Sequence, residues 1–308
     1  MHKLEAIVAP MTAHSDLGFA SINSFGVVCH DAGGANQIFA MIRRWGAPES
    51  ITVEGPARKI WQRDFADAPS KLEEGLQWIS KISTLLTGTS WGSDIEHRAR
   101  KVAKQHGVRS IAVLDHWTNY SERFSTGSDR VLPDEIWVVD RYAYEMARRI
   151  FPSILVSLKC DCYSQYELES IASITSSTPN EVLYLSEPAR ADWGRGEPGE
   201  MQAIRYFMEC IPRLNLPRNT IVRLRPHPSD DAGKYDIFLE RNNGLKIELD
   251  SGRLTDSLSR CRWTAGCQTY AMTLALGAGR VVYGSLPPWA PECKLPHDGI
   301  VHLRKQFP

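Results

Sequence analysis

The sequence predicts an α/β protein made of two Rossmann-like, doubly wound lobes with a cleft between them. Three observations predict it. Short runs rich in Val, Ile and Leu alternate with amphipathic segments along most of the chain, the pattern of parallel strands buried on both faces and joined through helices. The alternation breaks once, near Ser164–Asn180, where Ser170–Pro179 is rich in Ser and Thr and ends on Pro179. The chain has 308 residues, 43% of them hydrophobic, which is enough for two domains with cores of their own. The boundary is expected after residue 165, giving lobes 1–165 and 166–308.

The first strand series is Phe25–His30, Ile51–Glu54, Ile82–Thr87, Ser110–Asp115 and Glu135–Val139. The second is Val182–Ser186, Thr220–Arg225, Leu245–Leu249, Arg262–Ala265 and Val281–Tyr283. Helices are expected over Gly34–Trp45, Asp94–His106, Arg141–Ile150, Gly199–Arg213 and Gln268–Leu276. Asp94–His106 shows the reason best: Ile95, Ala99, Val102 and Ala103 share one face, charges lie elsewhere, and Gly107 follows as a stop. Alternating strands and helices wind into parallel sheets through right-handed crossovers. Ligands then gather beyond the carboxyl ends of the strands.

Composition excludes several function classes. Basic and acidic residues balance at 36 each, which argues against a nucleic-acid partner. No apolar run reaches the roughly 18–20 residues of a membrane span. Met1–Ala20 carries Glu5, His14 and Asp16 and does not read as a secretion signal. A cytoplasmic location is expected; peripheral membrane association and homo-oligomerisation are left open. Seven scattered cysteines suit reduced thiols. The close pair Cys160-Asp161-Cys162 lacks a second pair or histidines at zinc spacing, so strand-end thiols are the reading there.

Six segments carry candidate chemistry, most of them where a strand ends. Cys29-His30-Asp31-Ala32-Gly33-Gly34-Ala35-Asn36 joins a strand to a helix, and its glycines admit close backbone approach at a helix start that favours negative charge. Asp31 there is either a base that takes a proton from a hydroxyl or a helix cap. Thr87-Gly88-Thr89-Ser90-Trp91-Gly92-Ser93-Asp94 is a similar turn, in which Ser93 or Asp94 caps the next helix. Asp115-His116-Trp117-Thr118-Asn119-Tyr120, with Arg123 beyond, offers aromatic faces and hydroxyl-binding groups for a sugar; packing of Trp117 and Tyr120 is the alternative.

Arg223-Leu224-Arg225-Pro226-His227-Pro228-Ser229-Asp230 has two prolines that stiffen the exit from a strand and fix His227. A histidine flanked by arginines suits a phosphate; a buried structural histidine is the alternative. Ala265-Gly266-Cys267-Gln268-Thr269-Tyr270-Ala271 is expected to open a helix whose free N–H groups bind an anion, with Thr269 adding a hydroxyl; close helix packing is the alternative. In Gly284-Ser285-Leu286-Pro287-Pro288-Trp289-Ala290-Pro291-Glu292, Ser285 or Glu292 could touch ribose or phosphate. A Gly-x-Ser-x-Gly elbow, a Walker loop and a Gly-x-Gly-x-x-Gly fingerprint are absent. So is an Asp-x-Asp pair, and no obligatory metal or other cofactor is expected.

Arg225-Pro226-His227-Pro228, then Gly266-Cys267-Gln268-Thr269, then Leu286-Pro287-Pro288, together resemble the carboxyl half of GT-B glycosyltransferases. The nearest in feel are bacterial sialyltransferases, polysialyltransferases and capsule Kdo transferases. The resemblance implies that the lobe over 166–308 binds a CMP-activated sugar through Arg225, His227, Pro228, Gly266, Gln268, Thr269 and Ser285. It implies that the lobe over 1–165 holds the acceptor and supplies Asp31 as base, with Gly33, Gly34, Asn36, Ser90, Asp115, His116, Trp117 and Asn119 around sugar or acceptor. His30 and Ala32 depart from the stricter acidic motif of that family. The implied reaction moves a nonulosonic acid (sialic, pseudaminic or legionaminic) or Kdo to a glycan or glycoprotein with inversion. The resemblance further implies that His227 takes the leaving-group role, as the second catalytic residue beside Asp31. A UDP-sugar epimerase or hydrolase on the same scaffold is the runner-up. A non-catalytic sugar-nucleotide-binding partner of a polysaccharide assembly machine is the third reading.

Overall fold

The computed structural model describes residues 24–90, 92–240 and 244–307. The segment Met1–Ala20 and Trp91 of the second motif lie outside the described residues. The chain divides into two compact units at Tyr163–Ser164.

The amino-terminal unit holds strands β1 (Phe25–Cys29), β2 (Ser50–Val53), β3 (Lys71–Leu72), β4 (Thr84–Thr87), β5 (Arg109–Val113), β6 (Ser125–Thr126), β7 (Asp129–Arg130), β8 (Glu135–Val138) and β9 (Leu155–Leu158). Its helices are α1 (Ala32–Trp45), α2 (Gly55–Asp64), α3 (Ile95–His106) and α4 (Arg141–Ile150), and the division falls inside α5 (Cys162–Glu169). The main sheet runs β3-β2-β1-β4-β5-β8-β9, all parallel. β6 and β7 form a small antiparallel hairpin.

The parallel sheet follows from covered faces. Side chains alternate along β1, so Val27 and Cys29 join one core with Ile38, Met41, Ile51 and Trp137, while Val28 joins the other with Trp78, Leu85, Ile95 and Ala99. Both faces are thus apolar, which a doubly wound sheet requires. α3 places Ile95, Ala99 and Ala103 inward, and Gly107 ends it at φ 66°, where its N–H bonds back to Ala103 and Lys104.

The carboxyl-terminal unit repeats the plan. Its strands are β10 (Glu181–Leu185), β11 (Ile221–Arg225), β12 (Lys246–Leu249), β13 (Trp263–Gly266), β14 (Val281–Gly284) and β15 (Ile300–His302). Its helices are α6 (Gly199–Cys210), α7 (Asp236–Glu240), α8 (Leu254–Arg260), α9 (Ala271–Gly277) and α10 (Leu303–Gln306). The sheet runs β12-β11-β10-β13-β14-β15, again all parallel. Val182, Tyr184, Val222, Leu224 and Ala265 pack with Ile204 and Phe207 of α6 in one core.

The ten expected strands and five expected helices are present, with ends that move by a few residues. The expected helix Gln268–Leu276 starts later, at Ala271, because Thr269 and Tyr270 form tight turns to Met272 and Thr273 first. The expected helix Gly199–Arg213 ends as α helix at Cys210, and Ile211–Arg213 tightens into a 3₁₀ turn around Pro212. The expected connection Ser164–Asn180 begins inside α5. Strands β3, β6, β7, β9 and β15 are additions; they are two to four residues long and lie at sheet edges or in the β6–β7 hairpin, too short to show a period. None of the seven cysteines is in a disulfide, and Cys160 and Cys162 are buried. No described helix is long and apolar enough to cross a membrane.

Candidate functional site

Each sheet reverses its winding once. In the amino-terminal unit the chain builds outward from β1 to β2 and β3, then crosses to β4 on the other side. The turns after β1 and β4 therefore diverge and leave a crevice at the strands' carboxyl ends. The sequence places His30-Asp31 and Thr89-Ser90 at those two turns.

His30 Nδ1 lies 2.7 Å from Asp31 Oδ1 and 3.3 Å from Ser90 Oγ. The imidazole rests on Gly55, where any Cβ would fall 2.5 Å from Nε2. His30 thereby orients the Asp31 carboxylate, which stays about a third exposed. Asp31 occupies the position before α1, yet its side chain makes no capping bond. The geometry favours a presented carboxylate over a helix cap.

Glu96, on the first turn of α3, joins the two turns. Its carboxylate accepts the backbone N–H of His30 at 3.0 Å and that of Ser90. It is 2% exposed, and burial pushes its carboxyl up from 4.5 to about 7. Arg100, one turn on, is also buried, and burial lowers its guanidinium to about 10. Arg100 bonds Thr87 Oγ1 and the Gly88 carbonyl. Gly88 leaves room for the Glu96 carboxylate: a Cβ there would meet Glu96 Oε1 at 2.5 Å. Ser93 Oγ takes the Ile95 N–H at 3.2 Å, so Ser93 and not Asp94 caps α3.

Asp115, after β5, pairs with Arg123 at 3.1 Å, and Arg123 also reaches the Thr89 carbonyl at 2.9 Å. Asp115 lies over Gly33, where a Cβ would fall 1.9 Å from Oδ2. Gly33, Asp115, Ser90 and Asp31 thus meet at one crevice, joined by buried Gly34, whose added Cβ would lie 3.2 Å from Gly88 Cα; Asn36 is half-buried on α1. Other residues of the Asp115 loop make local contacts. Trp117 is 6% exposed and its indole N–H donates to Asp140 at 2.8 Å, so the expected sugar-stacking face is corrected to a packing role. His116 Nδ1 accepts the Trp117 N–H at 2.9 Å. Asn119 supplies a left-handed turn residue at φ 58°.

In the carboxyl-terminal unit the winding reverses between β10 and β13. His227 follows β11, next to β10. Its Nδ1 lies 2.7 Å from Ser229 Oγ and accepts the Ser229 N–H at 3.2 Å. That pairing places the proton of the neutral ring on Nε2, as a donor. Burial holds the imidazole below its ordinary range. Asp230 locks the loop: it accepts the His227 N–H at 2.7 Å and holds Lys234 at 2.6 Å and Tyr235 Oη at 2.7 Å. Pro228 is exposed between them.

Other expected phosphate ligands are committed elsewhere. Arg225 pairs with buried Asp250 at 2.5 Å and with the Gly252 carbonyl at 2.8 Å, so its expected phosphate role is corrected to an anchor between strand ends. Ser285 is fully buried and bonds Tyr184 Oη at 2.9 Å; it lies inside the core. Gln268 N–H donates to Glu187 at 2.7 Å, so that N–H is already filled by a carboxylate. Gly266 serves packing, since a Cβ there would come within 3.0 Å of the Leu185 carbonyl and 3.2 Å of Met272 Sδ. Thr269 is half-buried in the same turn, where its carbonyl accepts the Met272 N–H.

Sequence reasoning missed Glu187. It lies two residues beyond the end of β10, is 4% exposed and pairs with Arg190 at 2.8 Å. Its place at a strand end was a usable signal. Among the described residues, no group of three or more His, Cys, Asp and Glu is arranged to hold a metal ion.

No protein-family model matches the chain, and no curated protein matches it. Solved structures do. A UDP-GlcNAc 2-epimerase from Methanocaldococcus jannaschii is similar at 11% identity and TM-score 0.56, over 85% of this chain and 83% of that one. A second UDP-N-acetylglucosamine 2-epimerase aligns at 8% identity and TM-score 0.57, over 85% and 78%. MurG from Acinetobacter baumannii aligns at 9% identity and TM-score 0.51, over 85% and 78%. These are GT-B-type folds, and this chain has that fold, with two Rossmann-like α/β units.

Proposed function

We propose that the chain is an inverting glycosyltransferase that uses a CMP-activated nonulosonic acid or Kdo and transfers the sugar to a hydroxyl of a glycan or glycoprotein. The fold it shares with nucleotide-sugar enzymes supports the class. One observation carries the donor: His227 presents a single neutral N–H donor on a rigid loop at the end of β11. The cations at the neighbouring strand ends are already paired: Arg190 with Glu187, Arg225 with Asp250 and Lys234 with Asp230. A site with one uncharged donor and satisfied cations suits the single phosphate of CMP better than a diphosphate.

In this reading Asp31, oriented by His30, takes the proton of the acceptor hydroxyl. The acceptor oxygen bonds to the anomeric carbon while the bond from that carbon to the phosphate oxygen breaks. The electron pair leaves with CMP, and the His227 Nε2–H stabilises the charge. A positioned base contributes about 10²–10⁴-fold, and one donor on the developing charge about 10²–10³-fold. A metal-independent reaction is proposed because a protein donor serves the leaving phosphate.

A thermal-shift panel of CMP, CDP, UMP, UDP and GDP tests the donor, since a ligand at 100 times its Kd stabilises the native state by about 2.7 kcal/mol. Selective stabilisation by CMP that disappears in His227→Ala is expected. No stabilisation by any nucleotide would overturn the reading. Glu187 favours a second one: its buried carboxylate acts electrostatically on His227, and a UDP-sugar epimerase or hydrolase needs carboxylates beside the sugar. Selective stabilisation by UDP, with UDP released in the absence of any acceptor, would promote it.

A further inference from the structure

The amino-terminal unit contains a cavity of about 580 Å³ between the first turns of α3 and the β6–β7 hairpin. Its size falls within the range of roughly 300–1,000 Å³ typical of small-ligand sites. Its described lining carries no aliphatic or aromatic side chain other than the imidazole of His97. Hydroxyls come from Ser90, Ser93, Ser121, Ser125 and Thr126.

Charged groups of both signs line the cavity, Arg100 and Arg123 together with Asp94, Glu96 and Glu122, and Arg123 is also paired with Asp115. An anionic ligand would meet the carboxylates and a cation the guanidinium groups. A neutral molecule rich in hydroxyls meets neither penalty and pairs with both kinds of group.

His97 is the independent sign that a ligand belongs there. It lines the cavity and is 6% exposed. Its Nε2 lies 3.4 Å from Asp129 Oδ2, an oxygen that also holds Lys101 at 2.6 Å. Its Nδ1 is buried with no hydrogen-bond partner among the described residues. With Nε2–H directed at Asp129, Nδ1 is an acceptor that lacks an O–H or N–H donor. Buried polar atoms are almost always satisfied, and a sugar hydroxyl supplies the missing donor.

The cavity also reaches the chemistry. Ser90 lines it, and the Ser90 Oγ lies 3.3 Å from His30 Nδ1, the group that orients Asp31. We propose that this cavity seats the acceptor, and that the acceptor is a neutral, hydroxyl-rich glycan end. The assignment of the acceptor role rests on the transferase reading above; the ligand class rests on the cavity.

Saturation-transfer NMR with lactose, glucuronate and spermidine tests it on the full chain. Lactose is expected to receive saturation, with glucuronate and spermidine giving none. Thr126→Trp fills the cavity from an exposed hairpin position and should abolish the lactose signal. His97→Leu should weaken lactose binding about five-fold, the value of one hydrogen bond of about 1 kcal/mol. Both variants should keep the stabilisation by CMP, which shows that they fold. An unchanged lactose signal in Thr126→Trp, or binding only of a charged probe, overturns the proposal. Loss of the CMP response in the unmodified chain would instead sink the transferase reading and leave the sugar cavity standing.

Discussion

Glu96→Gln should remove a pH dependence of stability that the unmodified chain carries. In the folded chain burial lifts the Glu96 carboxyl from its ordinary 4.5 to about 7. The native state then binds more protons than the unfolded state between those two values, so stability falls as pH rises through that window. The contribution is fully present below 4.5 and gone above about 7. Each tenfold change in proton affinity is worth about 1.4 kcal/mol, so the group costs about 3 kcal/mol over the window. Glutamine has nearly the same shape and does not titrate. Its amide can accept only one of the two N–H groups that Glu96 now serves, from His30 and Ser90, which adds a pH-independent cost of about 1–3 kcal/mol. Urea unfolding followed by circular dichroism from pH 4.5 to 8 measures both terms. The difference between the two proteins should change by about 3 kcal/mol across the range, in favour of the variant at high pH. A constant difference would refute the reasoning and mean that Glu96 titrates normally.

Three further outcomes follow from the same geometry. Asp31→Asn should lower turnover by about 10²–10⁴-fold with nucleotide stabilisation intact; because Asp31 makes no side-chain cap bond, its melting temperature should hold, whereas a loss near the ~1 kcal/mol of a cap would restore the capping role. Arg225→Ala should cost about 3 kcal/mol in denaturant unfolding, since it leaves the buried Asp250 carboxylate unpaired; a variant of normal stability that fails to bind CMP would return Arg225 to the phosphate. Gly33→Ala should displace Asp115, whose Oδ2 lies 1.9 Å from the added Cβ, and lower turnover by about 10²-fold in a radiolabelled transfer assay; full activity would remove Asp115 from the site.

The fold was legible because buried parallel strands announce themselves. Val27, Val28 and their neighbours must be apolar on both sides, so each strand reads as a continuous run rather than an alternation. The ends of those runs then marked where His30-Asp31, Ser90, Asp115 and His227 would stand. What the runs could not show was the partner of each side chain. Arg225 and His227 are two residues apart with equal apparent claims to a phosphate. Only the pairing of β11 with β12 brings Asp250 to Arg225. Trp117 looked like a sugar platform until Asp140, twenty-three residues on, took its N–H. Glu96 follows Ser93 at the spacing of a capping box, yet its carboxylate turns to His30 and Ser90 instead.

The sequence by itself determined the class of fold and the loops that follow its strands, since strand length, apolar content and glycine placement are local properties. The tertiary structure alone decided which groups in those loops are spent and which remain presented. Burial and charge pairing join residues distant in the chain: Gln268 to Glu187, Ser285 to Tyr184, His97 to a cavity it shares with Ser90. A buried polar group must find its partner wherever the fold places one, and that placement is a property of three dimensions.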